Sequence, residues 1–351
     1  MLSFAIPGTA MSKTTIPTPQ EQTIPSVPNL FKALLLLALL FSSFYLAVAS
    51  ATWLDGLAGG ALWVAAIKWT VVGTLAVANV FFLVGMGVLA HDAVHRVLFR
   101  VPFWNELGGS LLSASALIPF YANRQFHLTH HSFAHQPGRD PENVMHQHSF
   151  LVAVSAGSVI ALLEQYRYLF NNLRPAAGRR HVDRVIKDSL SLAITGSMYF
   201  WVVPALLGLP LGYTVLPTLA VFPLVFGWRA LSDHYAIPPI VRATRDSEPM
   251  LDVDAEAWHR DRERRQREIT GWVVLTHPWL EWLWSHVNYH EVHHKYPWLS
   301  HHYLPQVFAA TRDSQPYLVI KGYWRSLFNL RHRQYYATRA EMRPFLTTPD
   351  W

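Results

Sequence analysis

The sequence predicts an all-α integral membrane protein of about four transmembrane helices, topped by a polar helical cap that gathers histidines. Three observations predict it. Hydrophobic residues make up 51% of the 351 positions and charged residues only 15%, against about 25% charged in an average soluble domain. Several apolar runs reach the length of a bilayer crossing. The 19 histidines fall largely in tight clusters outside those runs.

Residues 1–30 are rich in Pro, Thr and Ser, without a helical hydrophobic period, and read as a disordered or surface-lying arm. Residues 31–50 are nearly uncharged, and at about 1.5 Å per residue they cover about 30 Å, one hydrocarbon thickness. That is a first transmembrane helix. A cleaved signal peptide is the weaker reading, because a long Pro-rich preface precedes the run and no small-residue cleavage pattern follows it. A short loop with Asp55 leads to a second apolar stretch, 61–90, interrupted only by Lys68, which is expected to snorkel to the outer interface. Residues 103–120 are apolar but broken by Gly108, Gly109 and Pro119, suggesting an interfacial or re-entrant piece, and 151–163 reads similarly. The stretch 189–222 is too long for one span. Pro204, Gly208, Pro210 and Gly212 break it, so it reads as a hairpin of two spans ending near Trp228. Beyond Arg229 the chain is polar, apart from Trp-rich pieces such as 272–284. The chain thus divides into an arm (1–30), a membrane domain (31–310) and a polar C-terminal tail (311–351).

Charge sets the expected orientation. The connections around Asp55 and Gly208 contain no Lys or Arg, whereas Arg96, Arg100, Arg124, Arg139, Arg167, Arg174, Arg179, Arg180 and Arg184 lie between the second and third spans. The positive-inside rule therefore puts both termini and the histidine-bearing cap in the cytoplasm. The net charge of +6 fits an anionic membrane face rather than nucleic acid. With no cysteine in the sequence, any metal must be held by His, Asp or Glu.

Three histidine clusters stand out: His91-Asp92-Ala93-Val94-His95, His127-Leu128-Thr129-His130-His131 and His290-Glu291-Val292-His293-His294. Residues three or four apart share a helix face, so each cluster is expected to aim its imidazoles at a single point. A polar surface patch is the alternative for any one of them. Random placement of 19 histidines gives one H-x-x-H-H match in roughly one chain in twenty, and two in roughly one in a thousand. All three clusters fall on the same predicted side, where they can converge. Eight imidazoles are too many for one four-coordinate zinc, so two metals are the natural accounting. Imidazole alone does not choose the metal.

These residues resemble the membrane fatty acid desaturase family, whose hallmark is three boxes of the form H-x-x-x-H, H-x-x-H-H and H-x-x-H-H. The surroundings match as well, in RQFHLTHHSFAHQPGRDPE and in NYHEVHHKYPWLSHHYLP, the latter like the family's N-x-H-x-x-H-H-x-x-P context. The likeness covers roughly residues 30 to 310. It implies two iron ions held by His91, His95, His127, His130, His131, His290, His293 and His294, with O2 as co-substrate. Family members often add a ligand after the last span, and His234 in GWRALSDHYA stands in that place. The implied reaction is oxidation of an unactivated C–H bond of a fatty acyl or other lipid chain in the membrane, with desaturation first. Lipid or carotenoid hydroxylation or ketolation and oxidative decarboxylation to a terminal alkene are the alternatives, because the boxes do not separate them. The short first box looks more like the acyl-lipid and bacterial branch than the acyl-CoA branch.

Two ferrous ions on neutral imidazoles leave about four positive charges in a partly buried site, which calls for carboxylates nearby. Asp92, Asp140, Glu142, Asp233 and Glu291, with Asn288, are the candidates to orient the ligands; helix caps and salt bridges are the alternative for each. His135, His146, His148, His286, His301 and His302 lie near the boxes but outside the motif, and His259 and His277 read as surface or interfacial. Trp63, Trp69, Phe81, Phe82, Trp104, Phe120, Trp201 and Trp228 are candidate groove residues, most of them better read as lipid-facing or packing groups. Electrons are expected from a separate ferredoxin or cytochrome b5, since no cysteine cluster or heme motif is present. Arg260, Arg262, Arg264, Arg265 and Arg267 suit an acidic donor or, equally, anionic headgroups. A membrane metal transporter would carry ionisable groups at mid-membrane, and these spans have almost none. A zinc hydrolase is opposed by the excess of imidazoles.

Overall fold

The computed structural model of the chain describes residues 16–57, 61–135, 139–146, 149–173, 179–235, 269–330 and 343–348. Two long helices, α1 (Ser26–Leu57) and α2 (Leu62–Val94), pack along each other. On α1, Leu36, Leu40, Phe44, Ala47, Ala51 and Leu54 form the buried stripe, at the three-and-four spacing of one helix face. Leu34, Leu37, Tyr45, Leu46 and Trp53 are apolar on the outside, as a helix in lipid requires. Lys68 reaches back to Asp55 at 2.7 Å and pairs the two helices at their connected ends.

The polar layer beyond α2 begins with α3 (Pro102–Ala114), α4 (Phe120–Phe133) and the single turn α5 (Asn143–His146). Next come α6 (Phe150–Asn171), α7 (Arg179–Ser197) with its π-helical continuation Met198–Leu206, and α8 (Val215–His234). Pro204 lies inside the π-helical stretch, where its missing N–H accounts for the widened turns. Gly208 turns the chain towards α8 with φ of 64°, a left-handed conformation that glycine adopts without strain. Beyond α8 lie β1 (Trp272–Leu275), α9 (Pro278–Leu283), α10 (His290–Lys295), α11 (Leu304–Thr311), β2 (Leu318–Lys321) and α12 (Tyr323–Leu330).

Two features stand beside the expectation. First, five helices are long and apolar enough to cross a membrane, one more than the about four expected spans. The addition is α6: the segment expected to be a short interfacial piece continues as one helix of 22 residues. Second, the fold is mostly rather than wholly helical. β1 and β2 form a parallel pair with Trp272 opposite Leu318. Short, buried, β-branched runs such as Val273-Val274 and Val319-Ile320 cannot be told from helix by periodicity alone.

Buried polar contacts fasten the spans to the cap. Asn29 of α1 donates to the Leu98 carbonyl at 2.7 Å, and its side-chain oxygen meets His302 at 2.8 Å. Lys32, buried one turn later, reaches the Trp282 carbonyl and the Ser285 hydroxyl. Gln22, in the arm, bridges the Trp298 carbonyl and the Ser300 amide. The arm from residue 16 thus lies against the segment that follows α10.

α6 seats against the second half of α8 at Gly227, where a Cβ would come within 2.7 Å of the Val154 carbonyl oxygen. Gly227→Val is therefore expected to force the helices apart and destabilise the protein by about 1–3 kcal/mol. Thermal unfolding in detergent reads this out. Gly73→Ala, which meets nothing within 4 Å, should leave the melting temperature unchanged or raise it.

Candidate metal centre

Four helices bring nine histidines together. α2 supplies His91 and, just past its end, His95; α4 supplies His127, His130 and His131; α8 ends on His234; α10 supplies His290, His293 and His294. They form two groups. His91, His95, His127, His131 and His293 each offer a ring nitrogen within 4.8 Å of the others, and His130, His234 and His294 do the same. His290 joins the second group, its Nε2 lying 2.8 Å from that of His234 and 3.1 Å from that of His294.

The expectation that each cluster aims at one point holds for His91 and His95 and is corrected for the other two clusters. Each H-x-x-H-H box is split. His127 and His131, four apart, face the first group while His130 faces the second; His290 and His294 face the second group while His293 faces the first. The cause is helical: neighbouring residues point about 100° apart, so adjacent histidines cannot share a target at close range. Each group thus takes a pair from one box and a single residue from the other.

The geometry fits metal ions. In the first group, Nε2 atoms are separated by 3.1 Å (His95 to His127), 2.9 Å (His127 to His131) and 3.1 Å (His131 to His293). Such distances suit the edges of a coordination polyhedron whose metal–nitrogen bonds are about 2.0–2.1 Å. The Nε2 of His91 is buried with no hydrogen-bond partner, a costly state for a ring nitrogen unless a cation takes its lone pair.

Outer partners fix the rings. His130 Nδ1 meets Asp140 at 2.9 Å, His127 Nδ1 meets Glu142 at 3.2 Å, and His234 Nδ1 donates to the Thr270 carbonyl at 2.8 Å. An Nδ1–H directed outward leaves the Nε2 lone pair directed inward. Asp233 stands 3.7 Å from His290 Nδ1. Glu142 reaches further, its other oxygen 3.7 Å from His130 Nε2 and 4.0 Å from His234 Nε2. It sits beside the group with one imidazole fewer.

Three other candidates lie next to the boxes but bond elsewhere. Asp92 accepts from His301 at 2.6 Å. Glu291 pairs with Lys295 at 3.1 Å and accepts from the Thr270 amide and hydroxyl. Asn288 donates to the Val274 carbonyl and to Glu281. The third box also satisfies H-E-x-x-H, the pattern in which a zinc hydrolase uses its Glu as general base. Here Glu291 is held by Lys295 and Thr270, away from the imidazole groups, and that placement opposes the hydrolase.

Thr270 went unmarked in the sequence. Its carbonyl accepts from His234 and also from His135, at 2.7 Å, and a backbone carbonyl leaves no residue-type signal. Of the candidate groove residues, Trp63, Trp69, Trp104 and Trp201 face outward. Phe81 packs on Trp284, Trp228 on Tyr323 and Trp324, Phe120 is fully buried, and Phe82 packs on the core. Arg174, His148, His259 and the arginines between 260 and 267 lie outside the described residues, as does the side chain of His146.

Burial, reinforced by neighbouring imidazoles, holds His131, His290, His293 and His294 well below the ordinary histidine range. His130 goes the other way. Burial opposes its charge, but Asp140 and Glu142 prevail and raise it to about 9.

Two outcomes are expected. In metal-stripped protein, the unfolded histidines take protons near about pH 6.5 while the four depressed imidazoles stay neutral, so melting temperature falls as pH drops through that value. His130 works oppositely: its contribution is complete below its unfolded value and fades as pH rises through about 9. Second, Asp140→Asn is expected to weaken metal retention about 10–100-fold, measured by competition with a chelator.

A family model described as fatty acid desaturase matches residues 67–326, a span that contains all nine converging histidines. No curated protein matches the chain.

Proposed function

The chain belongs to the fatty acid desaturase family, and on that premise we propose that it catalyses O2-dependent oxidation of an unactivated C–H bond in a fatty acyl or other lipid chain, with desaturation as the first reading. The observation that carries this is the convergence of nine imidazoles from four helices into two adjacent groups. Two irons would be held by His91, His95, His127, His131 and His293 on one side and by His130, His234, His290 and His294 on the other. When bound, the iron pair supplies oxygen activation and redox chemistry that no side chain of this protein offers.

The remaining work falls to the protein. Asp140, Glu142, Asp233 and Thr270 keep the rings in one orientation. A cavity of about 120 Å³ reaches His91, His127, His234 and His290, and its walls include Val84, Val88, Phe126, Met145 and Phe226. Such walls exclude water and hold a methylene against the centre, which is how positioning lowers a barrier.

Convergence also bears on topology. His95 and His234 lie on the same side, so the chain between them crosses the bilayer an even number of times. α7 with its π-helical continuation leads away and α8 returns. α6 packs on α4, α5 and the second half of α8, so it belongs to the cap side. These contacts support a reading of four crossings, and the basic connections favour a cytoplasmic side for the centre and both ends of the membrane domain. Electrons come from a separate ferredoxin or cytochrome b5, because no cysteine is available for a cluster.

Expression in a host of defined lipid content, followed by mass spectrometry, should yield new oxidised acyl products that disappear in His130→Ala. Purified protein should hold about two irons per chain. Iron-loaded protein without any oxidised lipid product would overturn the reading, and zinc alone would favour the hydrolase.

A further inference from the structure

We propose that Arg229 recognises the carboxylate of a free fatty acid and holds the carboxyl end of the chain beside the histidine centre. The inference rests on the oxidase reading above and adds the substrate class.

Arg229 sits on α8 little more than a turn before His234 and is only 8% exposed. It lines the same cavity as His91, His127, His234 and His290, and among the described lining residues it is the single Lys or Arg. Its nearest charged partner is Asp233, at 2.6 Å from Nη2. That contact does not fill the guanidinium fork, because Nε and Nη2 make no well-formed hydrogen bond. The Tyr323 hydroxyl is buried beside Arg229, close enough to interact with the guanidinium. Buried guanidinium donors left open are costly, and a planar carboxylate is the group that fills two of them at once.

Position gives the recognition its consequence. Asp233 touches Arg229 and also stands 3.7 Å from His290 Nδ1, so a carboxylate on Arg229 lies one residue away from the imidazole shell. The carbons next to it are then the ones presented to the centre. Size argues the same way. At about 120 Å³ the cavity is well below the roughly 300–1,000 Å³ that encloses a drug-sized ligand, so it takes one end of a chain and not a bulky ester headgroup. Asn123 and Gln165 add amide groups to its lining; Glu142 and Asp233 are the anions that oppose a further carboxylate. Arg229 and the positive ions implied by nine imidazoles offset them. A second cavity, of about 440 Å³, carries Arg96, Arg124 and Arg184, but none of the nine converging histidines lines it.

The test is equilibrium binding of dodecanoate and of methyl dodecanoate to detergent-purified, metal-loaded protein, with product mapping for free acids of increasing length. The wild type should prefer the acid by about tenfold or more. Arg229→Gln should abolish the preference. Arg229→Lys keeps a charge against Asp233 but not the fork and should retain part of it, with metal content showing that each variant is folded. The oxidised carbon should keep a constant distance from the carboxyl end. Equal binding of acid and ester by the wild type, an undiminished preference in metal-replete variants, or oxidation counted from the methyl end would each refute the proposal. Arg229-dependent acid binding without any oxidised product would instead sink the oxidase reading while supporting the carboxylate site.

Discussion

Everything in this molecule depends on two short helices, α4 and α10, facing each other so that each gives up its histidines to two targets. Adjacent residues on a helix diverge by about 100°, so His130 and His131 cannot serve one point, nor can His293 and His294. The helices resolve this by interleaving. The His131 and His294 rings stack at 4.2 Å between centroids, nearly coplanar at 15°, which puts the boundary between the two groups at the seam between α4 and α10. His91 and His95 then complete one group and His234 the other. A slip of one turn along that seam would carry His293 and His294 about 5.4 Å past His131 and leave neither group with a complete set.

Holding that seam requires support from outside the centre, because the histidines of α4 and α10 are buried and intolerant of loose polar neighbours. Thr270 is the clearest example. Its carbonyl orients His234 and its amide and hydroxyl hold Glu291, which in turn is paired with Lys295 at the end of α10. One residue thereby couples α8 to α10. Asp140 does the same for α4, accepting from His130 and from the His135 and Glu142 amides. His135 has φ of 61°, an uncommon value for a non-glycine residue that bends the chain tightly around the carboxylate. Asp92 extends the frame to α2 by way of His301.

What was legible in the sequence was local. The spans 31–50 and 61–90, the hairpin broken at Gly208 and Pro210, and the histidine boxes all declare themselves by composition or spacing within one segment. What was not legible depends on pairs of segments. The division of each box is a property of α4 against α10. Asp92, Asn288 and Glu291 were marked by adjacency to ligands, yet adjacency on a helix is divergence, and they bond to His301, Val274 and Lys295 instead. β1 and β2 are strands only because each finds the other across 42 intervening residues. Arg229 marked merely the end of an apolar run, whereas α6 packed on α8 encloses it.

The placement of the centre follows from helix length. α2 has 33 residues, which at about 1.5 Å each give about 50 Å, well beyond a hydrocarbon core of about 30 Å. On the proposed topology its last turns, which carry His91 and His95, extend beyond the lipid. Val84 and Val88 lie one to two turns deeper on the same helix and line the cavity, as does Phe226 about two turns before His234 on α8. Each of these two helices thus runs from an apolar wall to a metal-binding end within about 10–12 Å. Under the proposed lipid oxidation, an aliphatic chain would lie against these walls with its reacting carbon at the imidazole groups, leaving neither the polar ligands in lipid nor the apolar substrate in water.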